Sequence, residues 1–101
     1  MTLMKSDFLI LVSFLIGIKP LSTIQREALI KIFDSHPTET TLKELFHACL
    51  SDNLSNYNLT MEQINNLIPL CDAFEKAVGL PNLDIVLEEA KKFQQLLNYT
   101  E

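Results

Sequence analysis

Apolar and polar positions along the chain recur with helical period in a series of blocks separated by proline or polar breaks. The first block, Phe8 to Ile18, reads FLILVSFLIGI and is interrupted only by Ser13 and Gly17. Being apolar on nearly every side, it predicts a helix capped by Ser6 or Asp7, ended before Pro20 and placed at the centre of a bundle. Ser13 and Gly17, four apart, predict a narrow strip along which another helix can approach closely, and any uncovered remainder of this helix would be a dimer surface.

Local start signals place the remaining helices. Ser22 to Gln25 reads as a capping box, in which the hydroxyl accepts from the third amide and the glutamine side chain returns to the cap amide. Behind it Ile24, Ala28, Leu29, Ile32 and Phe33 form a stripe, with Ile30 off it, and the helix runs out at Asp34-Ser-His-Pro37. Thr41 to Glu44 is a second box, opening a helix that buries Leu42, Leu45, Phe46, Cys49 and Leu50. The segment from Ser51 to Asn58 reads as a polar connection. Thr60 to Gln63 is a third box, with Leu59 and Ile64 at the spacing of a hydrophobic staple. The stripe Ile64, Leu67, Ile68, Cys71, Phe74 and Val78 keeps helical period through Pro69, which predicts either a kink or a junction of two short helices. Gly79 is expected to cap that helix, and Pro81 to stop it. A last helix begins at Asn82 and buries Leu83, Val86, Leu87, Ala90, Phe93 and Leu97, with Glu88 and Lys92 four apart on its outer side. The expectation is an all-α, compact bundle of about five helices around a central apolar N-terminal helix, a single domain over residues 1–101. An offset of 38 sets Leu21, Leu29, Ile30 and Asp34 over Leu59, Leu67, Ile68 and Asp72, an echo that chance explains in so Leu-rich a chain.

Composition narrows the functional classes. Only two glycines in 101 residues argue against a sandwich or barrel built from tight turns, and 48% apolar content argues against disorder. The apolar run stops at Lys19-Pro20, short of the roughly 20 residues of a membrane span. As a secretory leader it lacks a small-x-small cleavage site, so the expectation is a cytoplasmic chain. A secreted helical protein is the reading left to the sequons Asn53-Leu-Ser55, Asn58-Leu-Thr60 and Asn98-Tyr-Thr100. Cys49 and Cys71 are too few for a disulfide framework or a four-cysteine zinc site and fall on apolar stripes, which predicts reduced core thiols.

Segment 33–46 resembles the calcium loop of the EF-hand family in its position between two helices. It departs from the family where ligands are needed: the sixth loop position from Asp34 is Glu39 rather than glycine, the twelfth is Leu45 rather than glutamate, and Pro37 interrupts the ligands. Segment 52–63 departs in the same way, with Leu54 at its third position and Tyr57 at its sixth. At most the resemblance implies a helix-loop-helix regulator that binds no calcium. His36 and His47 share no third ligand at zinc spacing and read as a loop residue and a surface residue. There is no glycine-rich phosphate loop, serine elbow or paired-carboxylate motif, so neither metal, cofactor nor enzymatic activity is expected.

Charge supplies the one outward-pointing feature. The first 50 residues are neutral, and the net charge of −5 resides in residues 51–101. Such a half repels nucleic acid, and a single arginine cannot supply its phosphate contacts. Glu62, Asn65, Asn66, Asp72 and Glu75 run opposite the apolar stripe of the fourth helix, followed by Asp84, Glu88 and Glu89 on the fifth. These eight residues are the expected docking face for a basic protein partner. In size, helical class and charge the chain resembles small immunity and antitoxin proteins, which cover the cationic cleft of a nuclease toxin. The competing expectation is an oligomeric adaptor, possible as a homodimer, that associates through the first helix and Ile30 while the acids serve solubility.

Overall fold

The computed structural model describes residues 3–98, so the predicted sequon at Asn98-Tyr-Thr100 and the charge of Glu101 lie wholly or partly outside the described residues. Seven α-helices occur among them, with no strand: α1 (Lys5–Leu15), α2 (Thr23–Asp34), α3 (Leu42–Ala48), α4 (Met61–Leu67), α5 (Cys71–Val78), α6 (Leu83–Lys91) and α7 (Gln94–Leu97). The all-α bundle is therefore as expected, but the predicted fourth and fifth helices are each divided.

Helix α1 is the central element. From Phe8 to Ser13 every residue is buried, none more than 5% exposed, because α6, α2, α5 and α7 pack around it. A helix without a polar face can be stable in water only if neighbours enclose it in this way. The dimer surface that an uncovered α1 would have supplied is thus closed along this stretch. Its start differs from expectation: Met4 occupies the cap position, no side chain caps it, and Asp7 lies within the first turn, where its charge suits the helix dipole. Asp7 also sits 3.7 Å from Lys91, linking the start of α1 to the end of α6.

The end of α1 corrects a second expectation. Gly17 lies beyond the helix at φ +101° and does not form a close-approach strip with Ser13. Gly17 and Ile18, the latter at φ 58°, make a double left-handed turn in which the Lys19 amide donates to the Ser13 carbonyl at 3.1 Å. Glycine takes such a backbone freely, whereas a β-branched side chain is strained by it.

Two of the three capping boxes form completely. The Gln25 amide donates to Ser22 Oγ at 3.1 Å and the Ser22 amide to Gln25 Oε1 at 3.0 Å. Thr60 and Gln63 repeat the pattern at 3.1 and 2.9 Å. At α3 the Glu44 amide donates to Thr41 Oγ1, but the Glu44 carboxylate accepts from that same hydroxyl instead of from the cap amide, so the box is half made. The two complete boxes start helices that pack on each other: Gln25 Nε2 donates to the Asn66 carbonyl at 3.2 Å, and Lys31 Nζ donates to Gln63 Oε1 at 3.3 Å.

Pro69 resolves the ambiguous segment as two helices joined by a 3-10 turn over Ile68–Leu70. That turn has three residues per revolution instead of 3.6, so the stripe slips. Ile68, expected in the core, is 50% exposed, and Leu70 takes the buried place at 7%. The supposed polar connection is a 3-10 helix, Ser51–Asn56, which buries Leu54 to 1% exposure. Gly79 does cap α5, but at φ −82°, so its freedom at positive φ goes unused. The last helix breaks at Lys92 and Phe93.

Candidate functional site

The predicted docking residues are carried by helices whose other faces form the core. Glu62, Asn65, Asp72, Glu75, Asp84, Glu88 and Glu89 are exposed, and Asn66 is half-buried. Asn66 is committed structurally, its Nδ2 donating to the Glu62 carbonyl at 2.8 Å while its own carbonyl receives Gln25. The acids fall into two groups. Glu88 and Glu89 are neutralised on their own helix, by Lys91 at 3.6 Å and Lys92 at 3.2 Å, so the Glu88–Lys92 pairing expected from sequence is replaced by two pairs three residues apart. Glu62, Asp72, Glu75 and Asp84 enter no ion pair among the described residues.

Placement separates these groups further. Helix α4 packs chiefly on α2, α5 on α3 and α6 on α1, so the eight residues do not lie on one helix pair. The α4–α5 part has a feature that the charge pattern alone did not reveal. Met61 and Ile68 are 69% and 50% exposed, on the same segment that exposes Glu62, Asn65, Asp72 and Glu75. Ile85, 63% exposed, similarly adjoins Asp84 on α6. Exposed large apolar side chains set among unpaired carboxylates give a surface with both a steering field and contact area that gains by leaving water.

A second cluster escaped the sequence reading altogether. His36 is not a free loop residue: its Nδ1–H donates to the Ile32 carbonyl at 2.8 Å, and its Nε2 receives the Tyr57 hydroxyl at 3.2 Å. The carbonyl can only accept, which fixes the proton of the neutral imidazole on Nδ1. The two rings stand 5.7 Å apart, tying the end of α2 to the 3-10 segment before α4. Burial, and secondarily the nearby Cys49, pushes the Tyr57 phenol above its ordinary range, which gives it no acidity for catalysis.

The cysteines are chemically quiet. Burial, reinforced by Cys71, drives the Cys49 thiol strongly upward. Cys71 is half-buried and is raised by burial and by Asp72 and Glu75, partly offset by a backbone hydrogen bond from Ser51. Both stay protonated near neutrality, and a thiol rather than a thiolate is a poor nucleophile and metal ligand. No group of three or more His, Cys, Asp or Glu side chains suited to a metal ion occurs among the described residues. No helix among them is long and apolar enough to cross a membrane. Comparison of the chain with protein-family models, with curated proteins and with solved structures finds no match.

Proposed function

We infer that the protein is a binding module that docks a basic protein partner through its acid-bearing helices, in the manner of immunity and antitoxin proteins that cover the cationic cleft of a nuclease toxin. The observation carrying this reading is the set Glu62, Asp72, Glu75 and Asp84: exposed, without ion pairs among the described residues, and held on helices whose opposite faces are in the core. Such carboxylates raise the encounter rate with a cationic surface, and rigid helices hold them in register for Lys and Arg. Glu88 and Glu89 contribute less to the field, since Lys91 and Lys92 offset them locally.

The test begins with the neighbouring genes: a basic protein encoded directly upstream is to be co-expressed and co-purified with this one, and the lack of such a gene removes the ground for the immunity reading. Association between the two should slow steeply with added salt, because exposed charges act over about 8 Å at physiological ionic strength. Reversal of Glu62, Asp72 and Glu75 to lysine should slow association by about tenfold or more while leaving the fold intact. The matched control reverses Glu27 and Glu39, both exposed in the neutral half. Equal effects of control and triplet, or association indifferent to salt, refute the electrostatic reading. They favour an adaptor that associates through apolar contact, for which Met61, Ile68, Ile85 and Leu96, with Met4 and Ile18 at the flanks of α1, are the exposed candidates and the buried stretch Phe8 to Ser13 is not.

A further inference from the structure

Between the last turn of α2, the 35–41 connection and α3 there is a cavity of about 210 Å³. It lies in the charge-neutral half of the sequence, and none of the predicted docking residues lines it. Leu3, Phe33, Pro37 and Leu45 supply apolar walls, and Asp34, His36, Thr38 and Thr40 supply the polar part of the lining.

The walls are fixed from outside the cavity. Leu45 is 1% exposed and belongs to the core, and the Phe33 ring stacks on Phe8 with centroids 6.1 Å apart. His36 is clamped through both ring nitrogens, so it cannot swing inward without breaking a bond to Ile32 or Tyr57. The Thr38 hydroxyl is occupied in donating to Glu39 at 2.8 Å. A preformed apolar space with a few directed polar groups favours ligand binding, because little order is lost when it fills.

Size and charge define what fits. An enclosed apolar cavity of about 150 Å³ accepts a benzene ring, so this one has room for a ring and a short substituent. The ionic group in the lining is the Asp34 carboxylate, whose side chain is 58% exposed. Its cation, Lys5, is itself 39% exposed and stands at 3.8 Å, a loose contact that a closer ammonium can replace. An anionic ligand would instead meet a carboxylate. We propose that this cavity is a binding site for small primary amines bearing one ring, with the ring against Phe33 and Pro37 and the ammonium at Asp34.

Benzylamine, benzyl alcohol and benzoate, each titrated at one fixed pH into the 15N-labelled 101-residue chain, provide the test. Benzylamine should shift the amides of Phe33 to Thr40 saturably, with a dissociation constant on the order of 1 mM for a ligand of this size. Benzyl alcohol, of the same shape without charge, should bind about three- to fivefold more weakly, the scale of a part-exposed ion pair, and benzoate more weakly still. Asp34→Asn should bring benzylamine down to the level of benzyl alcohol while leaving the alcohol's affinity unchanged. Absence of saturable shifts, shifts centred elsewhere, or benzoate binding as well as benzylamine overturns the proposal. So does an Asp34→Asn variant that keeps the amine preference or weakens both ligands equally.

Discussion

The two glycines should respond to alanine with opposite signs, although each follows a helix and the sequence assigned the capping role to Gly79. At Gly79, φ is −82°, and an added Cβ would lie 3.5 Å from the Lys76 carbonyl oxygen, an ordinary contact. Alanine therefore fits, and by restricting the unfolded chain it should stabilise the protein by about 0.4–1 kcal/mol. At Gly17, space is also sufficient, since the nearest atom is Lys19 Cε at 3.7 Å, but φ is +101°. Alanine there should cost about 1–2 kcal/mol through backbone strain alone. For a domain of this size, thermal midpoints should rise by roughly 2–6 °C for Gly79→Ala and fall by roughly 5–10 °C for Gly17→Ala. Urea titration provides the second readout: the midpoint should move while the slope stays constant, as it must if only the folded-state strain or the unfolded-state entropy has changed. Destabilisation by Gly79→Ala would mean that α5 ends in a left-handed cap after all. A neutral Gly17→Ala would mean that α1 does not end in the double left-handed turn.

The same turn makes Ile18 a site for improvement. Its side chain is 38% exposed at φ 58°, so Ile18→Asn should raise stability by about 1 kcal/mol in urea titration, and Ile18→Val, which keeps the β-branch, should not. Stability should also decline in alkali. Cys49, Cys71 and Tyr57 all have raised folded-state values, so the folded protein retains protons that the unfolded chain releases. The thiols' contribution is fully present below the ordinary thiol value of 9.0 and is lost as pH climbs above it, and Cys49→Ala should flatten that decline. An unfolding free energy that rises with pH above this point would contradict the buried placement of Cys49.

The helical class was legible because its signals are local and short-ranged. Ser22 with Gln25, and Thr60 with Gln63, need only four residues to make two hydrogen bonds each, and both boxes form. Phe8 to Ser13 announced burial by lacking any polar side large enough to face water. What escaped depends on backbone winding or on distant partners. Ile68 and Leu70 exchange places because a 3-10 turn changes the angular step at Pro69, which a fixed 3.6 period cannot represent. Leu54 is hidden in SDNLSNYN by polar neighbours, and its burial depends on tertiary packing. His36 and Tyr57 are 21 residues apart, with no shared periodicity to suggest that they meet. Among the docking residues, exposure followed from helical phase except at Asn66, which packing against α2 half-buries, but the neutralisation of Glu88 and Glu89 turned on which lysine rotamer reaches which carboxylate.

These corrections move the weight of the functional surface. The sequence treats the acids from Glu62 to Glu89 as one stripe, and its apolar competitor runs through α1. Because α1 is enclosed from Phe8 to Ser13, the exposed apolar area lies at its two flanks, Met4 and Ile18, and to a greater extent on the later helices. Met61 and Ile68 contribute to the latter, on the segment that exposes Asn65, Asp72 and Glu75, of which the two carboxylates make no ion pair among the described residues although Lys76 lies beside them. Steering charge and buriable area therefore coincide on α4–α5, and over a smaller area at Asp84 and Ile85 of α6. An electrostatic field without apolar area gives fast but short-lived encounters, and apolar area without a field gives slow ones. Within the docking proposal, α4–α5 should accordingly govern both how fast the complex forms and how long it lasts, with α6 adding the charge of Asp84 and the apolar area of Ile85.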